Sequence, residues 1–310
     1  MTTTTSTHER TATRETSRVA LVTCAEIPDL EEDDRLVLAP LAALGVTAEP
    51  AVWDDPAVDW AGYDLVVLRS AWDYAPRRAE FVAWAAGRGN LANPADVVEW
   101  NTDKSYLDEL ARAGVPVIPT MVMGPEGWFH YGLPTDLVIK PAIGAGSVDA
   151  GRYRLDDPGE NSAFDAHLRR LLDAGRTALV QPYLPAVDTA GEAALVFLRG
   201  PDGLRFSHAA TKGALLSGPD EGVEGLYREE TITPRVATAA ELAVAEKALS
   251  AIPGGVDRLL YARVDLIPAE DGRPVLIELE LTEPSLFLGT DDGAAERFAG
   301  AVAGRLAAAG

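Results

Sequence analysis

Only one of the 310 residues, Cys24, is a cysteine, so the chain can close no internal disulfide and cannot build a cysteine-rich metal site. No window holds about 18 consecutive apolar residues, the length a membrane-spanning helix needs. The opening MTTTTSTHERTATRETSR has no apolar core of the secretory kind, and its threonine-rich composition predicts a disordered leader over 1–17. Positive charge is scarce as well: 27 Lys and Arg face 48 Asp and Glu, a net charge of −21. That balance argues against nucleic acid and anionic membranes as partners. A nucleotide stays compatible, because local lysines and metal ions override the global field. At 47% hydrophobic and 24% charged residues, the composition is that of a globular cytoplasmic enzyme with two or three modules.

What is present reads first as alternating strands and helices. Residues 18–24 form an apolar run of strand length, followed by an acidic loop. Leu36 to Leu44 is helical in pattern and stops at Gly45. Val46 to Trp53 and Leu65 to Leu68 read as two further strands, which predicts a parallel sheet flanked by helices. Ligands of such sheets sit beyond the carboxyl ends of the strands, which places Arg69 and Asp73 to meet a zwitterionic small molecule. A loop salt bridge accounts for the same two residues. Further on, 79–88 is helical, and a helix starting at Thr102 or Asp103 carries Lys104 in its first turn. A lysine there opposes the helix dipole unless an anion sits beside it.

Leu137 to Pro141 is a strand ending in Lys140, and the glycine loop Gly144-Ala145-Gly146-Ser147 follows. Such a loop can bring backbone N–H groups against phosphates, although it lacks the Gly-Lys-Ser/Thr ending of a P-loop and an ordinary hairpin turn has the same composition. Gly151 to Leu155 returns as a strand and 161–174 as an amphipathic helix. The run Ala178 to Gln181 then turns away at Pro182 and Pro185, exposing backbone groups that can read an adenine edge, although an ordinary strand end looks the same. Strand 193–198 follows Glu192. Next come His208 and Lys212, four residues apart; His208 reads equally as a solvent-exposed side chain, and Lys212 as a contact for a carboxylate or phosphate. Residues 214–232, with Glu221, Glu224, Glu229 and Glu230, predict a mobile loop over the site. Helices are expected at 236–251 and 293–309.

The most informative stretch is 259–288. Leu259 to Ile267 is apolar except for Arg263 and Asp265, which share a strand face. Glu270 to Pro274 is turn chemistry. Val275 to Leu281 alternates, with Ile277, Leu279 and Leu281 on one face and Glu278 and Glu280 on the other. Pairing the two strands gathers one arginine and three carboxylates on one face. Crowded carboxylates repel unless cations hold them, and Mg²⁺ favours such oxygen ligands. A solvated hairpin with a polar outer face is the plainer alternative.

The R-x-D strand, the E-x-E strand after it and the Thr-Glu-Pro-Ser turn resemble the metal site of the ATP-grasp ligases. Many members carry E-x-N where this chain has Glu278-Leu279-Glu280, so the third ligand is a carboxylate instead of an amide. The resemblance runs over most of 18–290. It points to the glutathione synthetase-like branch, and within it to the cyclo-ligase type that acts on O-ureido-serine. It implies an N-terminal α/β domain over 18–119, a small lid over 120–185 and a C-terminal α+β domain over 186–310. It further implies ATP with two Mg²⁺ ions, or Mn²⁺ in their place, held by Asp265, Glu278 and Glu280. Lys104, Lys140 and the glycine loop would hold the phosphates, and Gln181, Tyr183, Leu184 and Glu192 the adenosine. Arg263 and Lys212 would be catalytic, and Arg69, Asp73 and His208 would contact the substrate. The activity implied is carboxylate activation and amide formation on a small amino acid-like substrate, between molecules or by cyclisation. A regulator or kinase-like protein using the same pocket is the alternative, and a homo-oligomer is compatible with either.

Overall fold

The computed structural model describes residues 16–125, 132–222 and 225–309. The predicted leader therefore lies almost wholly outside the described residues, as does Glu224, and the first strand already begins at Ser17. Three sheets organise the chain. The first is parallel, in the order β2-β1-β3, built from β1 (Ser17–Thr23), β2 (Val46–Val52) and β3 (Leu65–Ser70). The acidic segment expected to be loop contains a short helix, α1 (Glu32–Arg35), because Glu31 caps it through the Asp33 N–H. Helix α2 (Leu38–Ala43) follows, and Gly45 adopts φ 75° behind it. β3 runs two residues further than its apolar pattern suggested, so Arg69 and Ser70 belong to the strand.

After α3 (Arg78–Ala86) come α4 (Ala95–Asn101) and α5 (Tyr106–Arg112). The sequence did not signal α4, and Lys104 sits in the turn between α4 and α5 instead of a first helical turn. The second sheet is antiparallel, in the order β4-β7-β5-β6: β4 (Met121–Met123), β5 (Asp136–Pro141), β6 (Gly151–Arg154) and β7 (Ala178–Pro182). Helix α6 (Pro158–Asp173), capped by Asp157, buries Phe164, Leu168 and Leu171 against it. This period of three to four is what an amphipathic helix on a sheet requires.

The third sheet holds the organising hairpin. Behind α7 (Val187–Ala190) run β8 (Glu192–Gly200), β9 (Gly203–Lys212), β10 (Ile232–Arg235), α8 (Ala239–Ser250), β11 (Tyr261–Pro268), β12 (Pro274–Glu280) and α9 (Ala294–Ala309). The sheet order is β10-β9-β8-β11-β12. β11 and β12 pair antiparallel with Arg263 opposite Glu280 and Asp265 opposite Glu278, which puts the four side chains on one face of the hairpin as expected. The register then shifts: Leu266 faces Leu276, leaving Ile277 as the extra residue of a β-bulge. The bulge corrects the predicted apolar face. Leu276, Leu279 and Leu281 are buried in the core, while Ile277 turns to the cavity described below.

β12 is an edge strand whose free backbone would be exposed. Side chains from the helical segment satisfy it instead. Asn101 donates to Leu279 O (2.7 Å) and accepts from Leu281 N (2.7 Å), and the Tyr106 hydroxyl bridges Leu279 N and O. Asn93 likewise binds Leu281 O, Tyr261 O and Leu260 N. This stitching fixes the α4–α5 turn, and Lys104 with it, beside Glu278. Among the described residues no helix is long and apolar enough to cross a membrane.

Candidate active site

A cavity of about 600 Å³ opens between the second and third sheets and the ends of the first. The chain has four lysines in all, Lys104, Lys140, Lys212 and Lys247, and the first three line this cavity together with Arg228 and Arg263. Each arrives from a different element: the α4–α5 turn, β5, the end of β9, the 213–231 loop and β11. Lys104 Nζ lies 3.1 Å from Glu278 and donates to Gly144 O at 2.5 Å. Burial lowers its pKa, but Glu278 and Glu280 outweigh that and raise it. Lys140 differs. Burial holds its pKa below the usual lysine range, and among the described residues it has no ion-pair or hydrogen-bond partner. A desolvated, unpaired ammonium facing a cavity is a seat for an anion.

The expected phosphate loop, Gly144, Ala145, Gly146 and Ser147, lines the same cavity. Gly146 (φ 60°) is required there: a Cβ would lie 2.3 Å from Leu226 O and 2.6 Å from Tyr227 Cα. Arg228 N donates to Gly146 O at 3.0 Å. Residues 226–228, within the stretch 214–232 predicted as a loop over the site, thus seat themselves on the glycine loop. On the far side Gln181, Tyr183 and Leu184 line a slot whose apolar walls are Ile118, Val187 and Ile267, with Val138 and Ile277. Glu192 also lines the cavity, 3.1 Å from Lys212 Nζ.

Of the three carboxylates expected to hold metal, Glu278 and Glu280 face the cavity. Asp265 does not. It is fully buried, with Arg263 on both oxygens (2.8 and 2.9 Å) and Lys212 at 3.0 Å. Burial alone would raise its pKa, yet Arg263 and Lys212 hold it at about 2. Asp265 therefore fixes two cations, and among the described residues no group of three or more His, Cys, Asp or Glu is arranged to hold a metal ion. Arg263 Nη2 also reaches Glu280 at 2.7 Å. Burial pushes Glu280 up to about 7, against Arg263 and with the help of Glu278 and Asp265.

The three predicted substrate contacts lie elsewhere. Arg69 is fully buried, pairs with Asp34 (2.9 Å), donates to Pro284 O and sits over the rings of Tyr261 and Phe298. Being part of β3, it points into the core between the first and third sheets. Asp73 accepts from Trp53 Nε1 and pairs with Arg77. His208 is buried, donates from Nε2 to Leu286 O (2.7 Å) and meets Ser207 Oγ at Nδ1. The loop after β3 does reach the cavity, but through Trp72 and Tyr74. Trp72 Nε1 donates to Glu283 O at 3.0 Å and its ring meets Tyr227 edge-on at 5.1 Å. Glu31, Asp33, Glu283 and Phe287 also line this end. The sequence had marked the Thr-Glu-Pro-Ser turn and the Trp72 loop without assigning these residues.

Together, a parallel α/β unit, a small antiparallel sheet and a larger antiparallel sheet, with a lysine-lined cavity between the last two, define an ATP-grasp ligase. The chain belongs to the D-cycloserine synthetase (DcsG) family within that class. It is 39% identical over 308 residues to the cycloserine biosynthesis protein DcsG of Streptomyces lavendulae, covering 93% of this chain and 98% of that protein. The family described as "D-cycloserine synthetase DcsG, N-terminal domain" matches residues 19–93. The crystal structure of D-cycloserine synthetase DcsG superposes with a TM-score of 0.81 at 36% identity, over 94% of this chain and 100% of that one. The fold extends to D-alanine–D-alanine ligase of Bacillus anthracis complexed with ATP, with a TM-score of 0.61 at 14% identity, over 94% of this chain and 96% of that one. The protein is an ATP-dependent ligase that forms a C–N bond between a carboxylate and an amine.

Proposed function

We propose that this ligase activates the carboxylate of a small amino acid with ATP and closes a ring onto it from a nitrogen of the same molecule, giving cycloserine. The convergence of Lys104, Lys140, Lys212 and Arg263 on one cavity carries the reading. The likeness to a cycloserine synthetase along nearly the whole chain supports the cyclic product. Cycloserine is a five-membered cyclic hydroxamate, so its last-made bond joins a carboxyl carbon to an aminooxy nitrogen. O-ureido-serine carries both groups in one molecule. Phosphorylating its carboxylate gives an acyl phosphate; attack by the oxygen-bound ureido nitrogen expels phosphate and closes the ring, and hydrolysis of the carbamoyl group left on that nitrogen releases CO2 and ammonia to give cycloserine.

The roles follow from position. Lys140, without a partner among the described residues, and Lys104 meet the phosphates together with the N–H groups of Gly144–Ser147. Gln181, Tyr183 and Leu184 hold the adenine, and Glu192 faces the ribose. Eight carboxylates line the cavity (Glu31, Asp33, Glu192, Glu229, Glu230, Glu278, Glu280 and Glu283) against five cations (Lys104, Lys140, Lys212, Arg228 and Arg263). A triphosphate adds further negative charge, so the donor set fits divalent cations. Mg²⁺ is bound through one or two carboxylates completed by phosphate oxygens and water, which Glu278 and Glu280 provide without Asp265. Such ions neutralise the phosphates and polarise the transferred group. Arg263 and Lys212, held by Asp265, stand where charge develops during transfer. The residues 120–185 act as lid, in a cytoplasmic enzyme. The test is ADP and phosphate release with O-ureido-serine, with product masses. ATP turnover that leaves a linear or phosphorylated product would overturn the reading.

A further inference from the structure

We infer that Glu283, walled by Trp72, Tyr74 and Tyr227, is the seat of the substrate's α-ammonium group; the inference rests on the amino acid reading above. Beside Glu31, which accepts from the Asp33 N–H at 2.7 Å, three glutamates face this end of the cavity, and two of them have cations of their own. Glu278 has Lys104 at 3.1 Å and Glu280 has Arg263 at 2.7 Å. Glu283 has no ion-pair partner among the described residues, and its side chain meets the Tyr74 hydroxyl. A desolvated carboxylate without a counter-ion is costly. Here burial and the neighbouring Glu280 push Glu283 up to about 8, the response of a carboxylate lacking a cation.

The walls fit a cation as well. Trp72 is anchored by its Nε1 to Glu283 O, and its ring meets Tyr227 edge-on. Aromatic rings at a carboxylate attract an ammonium through their quadrupole. Position also agrees. Arg263 donates to Ser285 O at 2.9 Å and sits 5.1 Å from the ring of Phe287, so the 283–287 turn lies beside the phosphoryl-handling arginine. An α-ammonium and the carboxylate being activated are neighbours in an amino acid. One carboxylate can therefore hold the first while Arg263 and Lys212 serve the second.

The experiment compares O-ureido-serine with its deamino analogue, 3-(ureidooxy)propanoate, by ADP release from the full chain. The wild type is expected to prefer the amino compound in kcat/KM. In Glu283→Gln that preference falls by about 10- to 100-fold, the range for one charge-assisted hydrogen bond, mainly through KM. The deamino analogue, KM for ATP and the Mg²⁺ activation curve stay within about threefold. Glu283→Asp, which keeps the charge, restores part of the preference, and it replaces the glutamine variant if the latter does not fold. Equal losses for both compounds, or a displaced Mg²⁺ curve, would overturn the inference in favour of a structural or metal-binding role. So would collapse of the preference in Glu31→Gln with retention in Glu283→Gln. Equal use of both compounds by the wild type overturns this inference alone, whereas turnover of neither overturns the proposed function.

Discussion

Arg263 and Asp265, two residues apart on β11, meet through two parallel contacts, Nε to Oδ1 at 2.8 Å and Nη2 to Oδ2 at 2.9 Å. The arginine is thereby locked in one orientation with its remaining edge toward Glu280 and the cavity. Arg263→Lys keeps the charge, and Asp265 keeps Lys212, so the fold should hold. The planar fork is lost. We expect turnover to fall by about 10²-fold or more, with a much smaller change in ATP affinity measured by calorimetry. Turnover near wild type would remove Arg263 from the chemistry.

Lys140 gives the opposite separation of stability and binding. In the proposed reading its partner is the ligand, so Lys140→Ala should leave the melting temperature of the free protein unchanged or slightly higher, since a desolvated charge is removed. Nucleotide affinity should weaken by about 10- to 100-fold. A marked drop in the free protein's melting temperature would make the lysine structural.

For Arg69 the expectation is structural. Removing one partner of a buried pair strands the other charge, so Arg69→Ala should cost about 3–5 kcal/mol of unfolding free energy in urea. A change confined to substrate KM, with stability intact, would return Arg69 to the substrate site.

The metal reading is tested by removal. With Glu278 and Glu280 facing a triphosphate of like charge, ATP affinity should fall when divalent cations are chelated and recover on adding Mg²⁺. Equal affinity in both conditions would sink the assignment.

His208 predicts a pH dependence of stability. Burial lowers its pKa below the ordinary 6.5, a shift only partly opposed by its bond to Leu286 O. The unfolded chain therefore takes up a proton first as pH falls. The contribution is fully present above pH 6.5 and is lost progressively below it, toward the lower folded pKa. His208→Gln should flatten this part of the profile between pH 7.5 and 5 in urea titrations. An unchanged profile would show that His208 does not contribute.

Much of the site was legible because it sits on regular strands. Alternation along 275–281 puts Glu278 and Glu280 on the face that Arg263 and Asp265 share, and lysines ending strands are visible as interruptions of apolar runs. The bulge at Ile277 was not legible, since it replaces one apolar residue by another on the buried face. The loop after β3 is expected to meet a ligand through Arg69 and Asp73, whereas two more residues of strand carry Arg69 inward and the turn presents Trp72 and Tyr74 to the cavity. Helix α4 leaves little signal in the sequence because it is seven residues long and lacks a side-chain cap. Glu283 lies in an irregular turn, where periodicity carries no information.

The contact of Gly146 with the 226–227 backbone has a consequence for leakage. With no room for even a methyl group between them, the glycine loop and the 226–228 backbone form one seam, and neither can swing away without parting from the other. Under the proposed chemistry, parting that seam would uncover the acyl phosphate and release the nucleotide in one motion.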